Sequence, residues 1–187
     1  MKKYLALALL LMLFNCKKNE PTPDPCLGIT CLNNGYCANG QCVCPQGYTG
    51  ANCSQQVTPT KITITKIQVT KFPATKVGGA GWDLTSGPDI YPIISKGTTL
   101  IWKSLINYTD ANSSLTYDFT PSPNIDLTSP TAQYSIDLFD YDGGLVADDW
   151  MGGIYFTPYS NTNNFPSVLT IDAGGAVAFK LSVTYTW

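Results

Sequence analysis

The chain has 187 residues, 44% apolar and 13% charged, with a formal charge of −2 from eleven Lys against thirteen acids, and neither Arg nor His. Nucleic acid is disfavoured as a partner because no basic cluster exists to meet phosphate, and the absence of His removes every Ser-His pair, Cys-His pair and His metal site. The length suits one ordinary globular domain plus something small, and most enzyme classes are disfavoured from the start.

Lys2 and Lys3 precede an apolar run from Tyr4 to Phe14. This is the layout of a secretory signal over residues 1–15, and eleven residues are too few to cross a bilayer as a helix. The sequence Leu13-Phe14-Asn15-Cys16 then resembles the lipobox of bacterial lipoproteins, with Asn15 where the family has a smaller residue. The resemblance implies a lipid on Cys16 and a place on the bacterial outer membrane or cell surface. Residues 16–25 are polar and Pro-rich and read as a tether, with Lys17 and Lys18 set to lie against anionic headgroups.

Six Cys follow, at 26, 31, 37, 42, 44 and 53. That density suits an oxidising compartment, and six Cys allow fifteen pairings among which spacing alone does not choose. The single residue Val43 between Cys42 and Cys44, and the ending Gly47-Tyr48-Thr49-Gly50-Ala51-Asn52-Cys53, resemble the EGF-like family. The resemblance implies the pairs Cys26–Cys37, Cys31–Cys42 and Cys44–Cys53 within a domain at residues 26–53. So short a segment buries too little apolar surface to fold unaided, and each disulfide is expected to contribute about 2–4 kcal/mol. Asn33-Asn34-Gly35 and Asn39-Gly40 supply turn residues that tolerate positive φ. The acidic triplet of calcium-binding EGF-like members is missing, since Thr22-Pro23-Asp24-Pro25 stands there. A spacer role is favoured over a binding role.

Residues 54–60 read as a linker. From Lys61 to Trp187 there is no Cys, and short alternating runs rich in Thr, Val, Ile and Tyr are broken by Gly, Pro, Asn and Asp. The period is two, which is all-β patterning. Val177, Phe179, Leu181, Val183, Tyr185 and Trp187 define one face of a final strand. Tyr134, Ile136 and Leu138 define another, and strands are also expected over Ile62 to Val69 and Thr99 to Ile106. The spacing suits an antiparallel two-sheet sandwich of roughly eight strands, without helices.

Six of this segment's eleven Asp fall in two expected loops: Asp83 and Asp89 in the first, Asp140, Asp142, Asp148 and Asp149 in the second. Carboxylates brought together at about 4 Å repel by about 4 kcal/mol at an effective dielectric of 20. Neither loop contains a Lys, so a bound cation is the expected compensation. Flexible loops bearing hard oxygen ligands suit Ca²⁺ better than Mg²⁺.

These residues resemble the C2 domain, an eight-stranded sandwich that binds calcium between its loops. Asp83, Asp89 and Tyr91 match its first loop; Asp140, Asp142 and the run Asp149-Trp150-Met151-Gly152 match its third. The usual eight-residue step lands on Asp148, whereas the Gly points to Asp149, so both are named, with Asp149 preferred. The resemblance implies side-chain ligation by these aspartates, with Asp83 and Asp140 bridging ions. It also implies backbone carbonyl ligands from Trp82 and Tyr141, and membrane contact through Leu84, Leu145 and Val146.

The expectation is therefore a non-enzymatic, lipid-anchored surface protein whose calcium-dependent C2-type module binds anionic phospholipid or glycan. The alternative is a cell-surface adhesin with a protein partner and purely structural calcium. An Asp-pair hydrolase is disfavoured, since every crowded acid matches a metal position. The sequons at Asn107 and Asn112 are short patterns that arise by chance, and no role is assigned to them.

Overall fold

The computed structural model describes residues 22–187 other than Leu145. The signal segment, Cys16, the first part of the tether and Leu145 lie outside the described residues. Among those described there are thirteen strands and no helix.

The cysteine-rich unit contains two small hairpins, β1 (Tyr36–Ala38) with β2 (Gln41–Val43), and β3 (Tyr48–Thr49) with β4 (Gln55–Gln56). Asn39 and Gly40 form the tip of the first with φ of 50° and 82°, the backbone that a two-residue hairpin turn demands. The three disulfides join Cys26 to Cys37, Cys31 to Cys42 and Cys44 to Cys53, the pairing that the EGF-like resemblance implies. Because β4 pairs with β3, Gln55 and Gln56 extend this unit into the segment expected to be a linker.

The remaining strands are β5 (Lys61–Lys71), β6 (Ile90–Lys96), β7 (Thr99–Lys103), β8 (Tyr117–Phe119), β9 (Ile125–Leu127), β10 (Tyr134–Asp140), β11 (Asp149–Phe156), β12 (Val168–Ile171) and β13 (Ala178–Thr186). One sheet has the order β11-β10-β6-β7; the other has β12-β13-β5-β8, with β9 also on β5. All pairings are antiparallel. The ninth strand arises because β8 and β9 share one position, pairing with Ile67–Val69 and Ile62–Ile64 of β5 respectively. Pro121 and Pro123 fall between them, and proline cannot donate to a ladder.

The core lies between the sheets. Ile62, Ile64, Ile67 and Val69 of β5 all point into it. Their period-two spacing breaks at Thr65, and a bulge in the β5/β13 register there returns the second pair to the same face. Phe179, Leu181 and Val183 of β13 face Tyr134, Ile136 and Leu138 of β10 across the same interior, all buried as their alternation predicts. The strand expected over Thr99 to Ile106 stops at Lys103, where the Ser104 hydroxyl donates to the Ile106 carbonyl at 2.7 Å and turns the chain.

The EGF-like unit is docked on one end of the sandwich. Phe165 inserts among Tyr48, Tyr159, Tyr185 and Trp187 at ring-centroid distances of 5.4, 5.7, 5.4 and 5.1 Å. The Trp187 indole donates to the Val57 carbonyl at 3.1 Å, and the Gln56 amide donates to Asn164 at 3.0 Å. Gly47 makes the approach possible: a Cβ there would lie 2.6 Å from the Trp187 ring, and its φ of +88° also favours glycine. This joint sits at the start of β5 and the end of β13, where Thr60 donates to the Thr186 carbonyl. The first aspartate loop follows the other end of β5, and the β10–β11 segment meets it there through Asp83, Asp140 and Asp142. Asp140 and Asp149, expected in the second loop, are the last residue of β10 and the first of β11, so that loop is shorter than the sequence suggested.

Candidate metal centre

Asp140 is the hub of the acidic pole, and its placement follows from strand parity. Tyr134, Ile136 and Leu138 face inward on β10, so Asp140, two residues on, faces inward as well and is 0% exposed. Its Oδ1 accepts the Asp89 backbone N–H at 2.6 Å, while its Oδ2 is buried with no partner among the described residues. Asp83, from the β5–β6 connection, and Asp142, from the β10–β11 loop, close around it. One carboxylate oxygen from each of Asp83, Asp140 and Asp142 lies within 4.8 Å of the others. The Oδ2 of Asp142 is likewise buried and unpartnered.

Burial, then the neighbouring charges of Asp83, Asp142 and Asp89, push the Asp140 carboxyl up to about 6, although the Asp89 N–H pulls the other way. Unshielded carboxylates that share a dry site resist simultaneous ionisation.

The other expected ligands stand around this trio without entering it. Asp89 accepts the Asp110 N–H on its side chain and the Tyr141 N–H on its carbonyl, which ties the two loops together. Asp148 accepts the Tyr91 hydroxyl and the Asp142 N–H, and lies 3.8 Å from the Lys103 ammonium. Asp149 pairs with Lys76 and stands directly opposite Asp140 in the β10/β11 ladder. A bulge on β11 leaves Met151 between the residues that pair with Leu138 and Phe139. This one extra residue lies between the Asp148–Asp149 pair and Gly152. Trp82 is half-buried against the core with its indole donating to the Pro73 carbonyl at 2.9 Å, which fixes the chain next to Asp83.

Lys76, Lys103 and the Tyr91 hydroxyl contact were not evident from loop composition. Lys76 reaches in from the segment after β5 and also lies 5.6 Å from the Trp82 ring; Lys103 comes from the edge strand β7 and lies 4.5 Å from the Tyr91 ring. They serve Asp149 and Asp148. The carboxylates of Asp83, Asp140 and Asp142 have no ion-pair partner among the described residues.

That residue set fits a hard divalent cation. Its donors are all carboxylate oxygens, two of them buried and unpartnered, and Asp140 is ionised only against the cost of burial. At the rim, Leu84 is 104% and Val146 65% exposed, and they are joined by Val77 at 107% and Leu105 at 94%, which no sequence pattern singled out.

Comparisons with known proteins bear on both units. Residues 29–56 match the family model described as a Teneurin-like EGF domain. No curated protein matches the chain. Among solved structures, one described as a C2 domain is similar at 13% identity and a TM-score of 0.44, covering 66% of this chain and 97% of that one. Human GIVD cytosolic phospholipase A2 is similar at 14% identity and a TM-score of 0.40, covering 67% of this chain and 16% of its own. The calcium-bound pair of C2 domains from Extended-Synaptotagmin 2 is similar at 18% identity and a TM-score of 0.33, covering 67% of this chain and 46% of that one. The chain thus spans less than half of those two longer proteins.

Proposed function

We propose that the sandwich is a calcium-dependent, C2-type binding module for anionic phospholipid, carried on a lipid-anchored surface protein with the EGF-like unit as its spacer. The observation that carries this reading is Asp140: a wholly buried carboxylate, one oxygen unpartnered, pressed against Asp83 and Asp142. Asp83, Asp140 and Asp142 would hold the ion, with Asp89 and Asp148 fixing the two loops. When bound, calcium supplies positive charge and coordination positions for phosphate oxygens.

Charge balance supports the lipid reading. Residues 61–187 carry seven Lys against eleven Asp, a net −4, so two divalent ions neutralise the module and a third makes it cationic. The exposed Leu84 and Val146 stand where headgroups would meet the pole. Anchoring at Cys16, and with it the bacterial outer membrane or cell surface, is supported by the lipobox-like sequence. No catalytic role is assigned.

Purified protein should float with phosphatidylserine vesicles in calcium and not in chelator, and Asp140→Asn should abolish flotation. Flotation that persists in chelator would overturn the reading. A protein-binding adhesin is the second reading, favoured by Leu27 and Tyr36 of the EGF-like unit, which are 82% and 64% exposed. In that case calcium raises the melting temperature with no flotation under any condition.

A further inference from the structure

The arrangement of the two units limits which surface the acidic pole can reach. The chain enters the EGF-like unit beside the β1–β2 hairpin tip, where the Pro25 carbonyl lies 3.3 Å from the Cβ position of Gly40. From that tip β2 runs toward Gly47 and Tyr48, which are seated on Trp187 and Phe165. The sandwich begins there, and β5 carries the chain through eleven residues to the far end. At about 3.3 Å per residue, β5 alone separates the joint from the acidic pole by roughly 33 Å. The N-terminal side of the chain and the Asp83–Asp140–Asp142 cluster therefore lie at opposite ends of a strut.

The joint makes the strut stiff. The Tyr48–Phe165 ring contact, the seat of Gly47 on Trp187, the Trp187–Val57 and Gln56–Asn164 hydrogen bonds and the β-type contact of Thr60 with Thr186 fasten the EGF-like unit at one end. Residues 17–25, nine in number, have a contour length of only about 30 Å when fully extended. A tether anchored at Cys16 is thus shorter than β5, before the length of the EGF-like unit is added. With the length of the EGF-like unit added, the tether is too short for the pole to meet face-on a membrane in which Cys16 is anchored.

We propose that the acidic pole acts in trans: the anionic bilayer it engages belongs to a second membrane, opposite the one from which the N-terminal end of the chain extends. This rests on the calcium-dependent lipid reading and on the proposed anchoring at Cys16, and adds the side from which the lipid comes. The charge of the pole is complementary to such a bilayer only with calcium, so bridging is expected to be reversible.

Residues 16–187 coupled through the Cys16 thiol to maleimide-lipid vesicles of phosphatidylcholine test the idea. Mixed with phosphatidylserine vesicles, they should cluster in calcium and disperse in chelator, as read by light scattering. Adding phosphatidylserine to the coupled vesicles themselves should leave clustering within twofold of its former extent. Inserting twenty Gly/Ser residues into the tether should make that same addition suppress clustering severalfold, because the pole can then fold back. The trans geometry is overturned if the uncoupled protein floats with phosphatidylserine vesicles while the coupled protein does not cluster them. It is equally overturned if phosphatidylserine on its own vesicle suppresses clustering with the native tether. Failure of the uncoupled protein to float in calcium overturns the lipid reading itself, and the trans proposal with it.

Discussion

At one end of the sandwich Phe165 is ringed by Tyr48, Tyr159, Tyr185 and Trp187; at the other Asp140 is ringed by Asp83, Asp89 and Asp142. Among the described residues, both ends bury polar atoms without partners. At the joint these are the Tyr159 hydroxyl and the Gln56 amide oxygen, whereas at the acidic pole they are carboxylate oxygens of Asp140 and Asp142. An unmet neutral group costs about 1–3 kcal/mol, and an unmet charge costs more. The joint is thus completed by the chain's own EGF-like unit. The acidic pole keeps its unmet carboxylate oxygens, and this difference is why one end is read as a structural seam and the other is proposed as a cation site.

The strongest way to break the comparison is Asp140→Asn. The amide oxygen can still accept the Asp89 N–H, so the fold is kept while the buried charge goes. Calcium affinity by calorimetry should fall by at least about a hundredfold, roughly 2.7 kcal/mol, yet the calcium-free protein should be more stable by about 1–3 kcal/mol. A variant that loses stability in chelator would show that Asp140 is an ordinary structural carboxylate. The matching change at the joint is Phe165→Ala, expected to cost about 2–3 kcal/mol because Phe165 is half-buried rather than fully enclosed. It should let the EGF-like unit tumble independently in NMR relaxation and leave calcium affinity unchanged.

The two ends should also respond differently to acid. In chelator, native Asp140 holds a proton up to about pH 6, while the unfolded chain releases it near the ordinary carboxylate value of 3.8. Its contribution is therefore fully present below about pH 4 and is lost as the pH rises through 6. Melting temperature in chelator should decline across that window, and the decline should be absent in Asp140→Asn. In calcium the trend reverses, since the proton and the ion compete for the same carboxylate. The smallest effect is expected away from both ends. Lys66→Ala removes the exposed ion pair with Asp118, 3.0 Å long, and should change stability by no more than about 0.5 kcal/mol in urea melts.

Strand alternation read the interior well, because a side chain's face is set by local backbone geometry. Tyr134, Ile136 and Leu138 followed it, and Asp140, expected in a loop, is instead the last residue of the same strand and faces inward by the same parity. Two features needed the tertiary structure. The bulges at Thr65 and Met151 each add one residue to a strand; the sequence shows only a parity break between Ile64 and Ile67 and a one-residue mismatch between Asp148 and Gly152, and a partner strand is needed to place the extra residue. The compensation of Asp148 and Asp149 was invisible for a related reason, since Lys76 and Lys103 come from segments outside the acidic loops.

The cysteine spacing and the period-two runs by themselves determined a disulfide-stapled unit followed by an all-β sandwich with acid-rich loops, because covalent spacing and side-chain alternation are local properties. Only the tertiary structure decided which acids share a site and at which end of the molecule that site lies. Those depend on Asp83 and Asp142 meeting Asp140 across the fold, and on Trp187 meeting Gly47 across 140 positions of the chain. Contacts of such separation are set by how two sheets and a joint pack, and no stretch of sequence carries them alone.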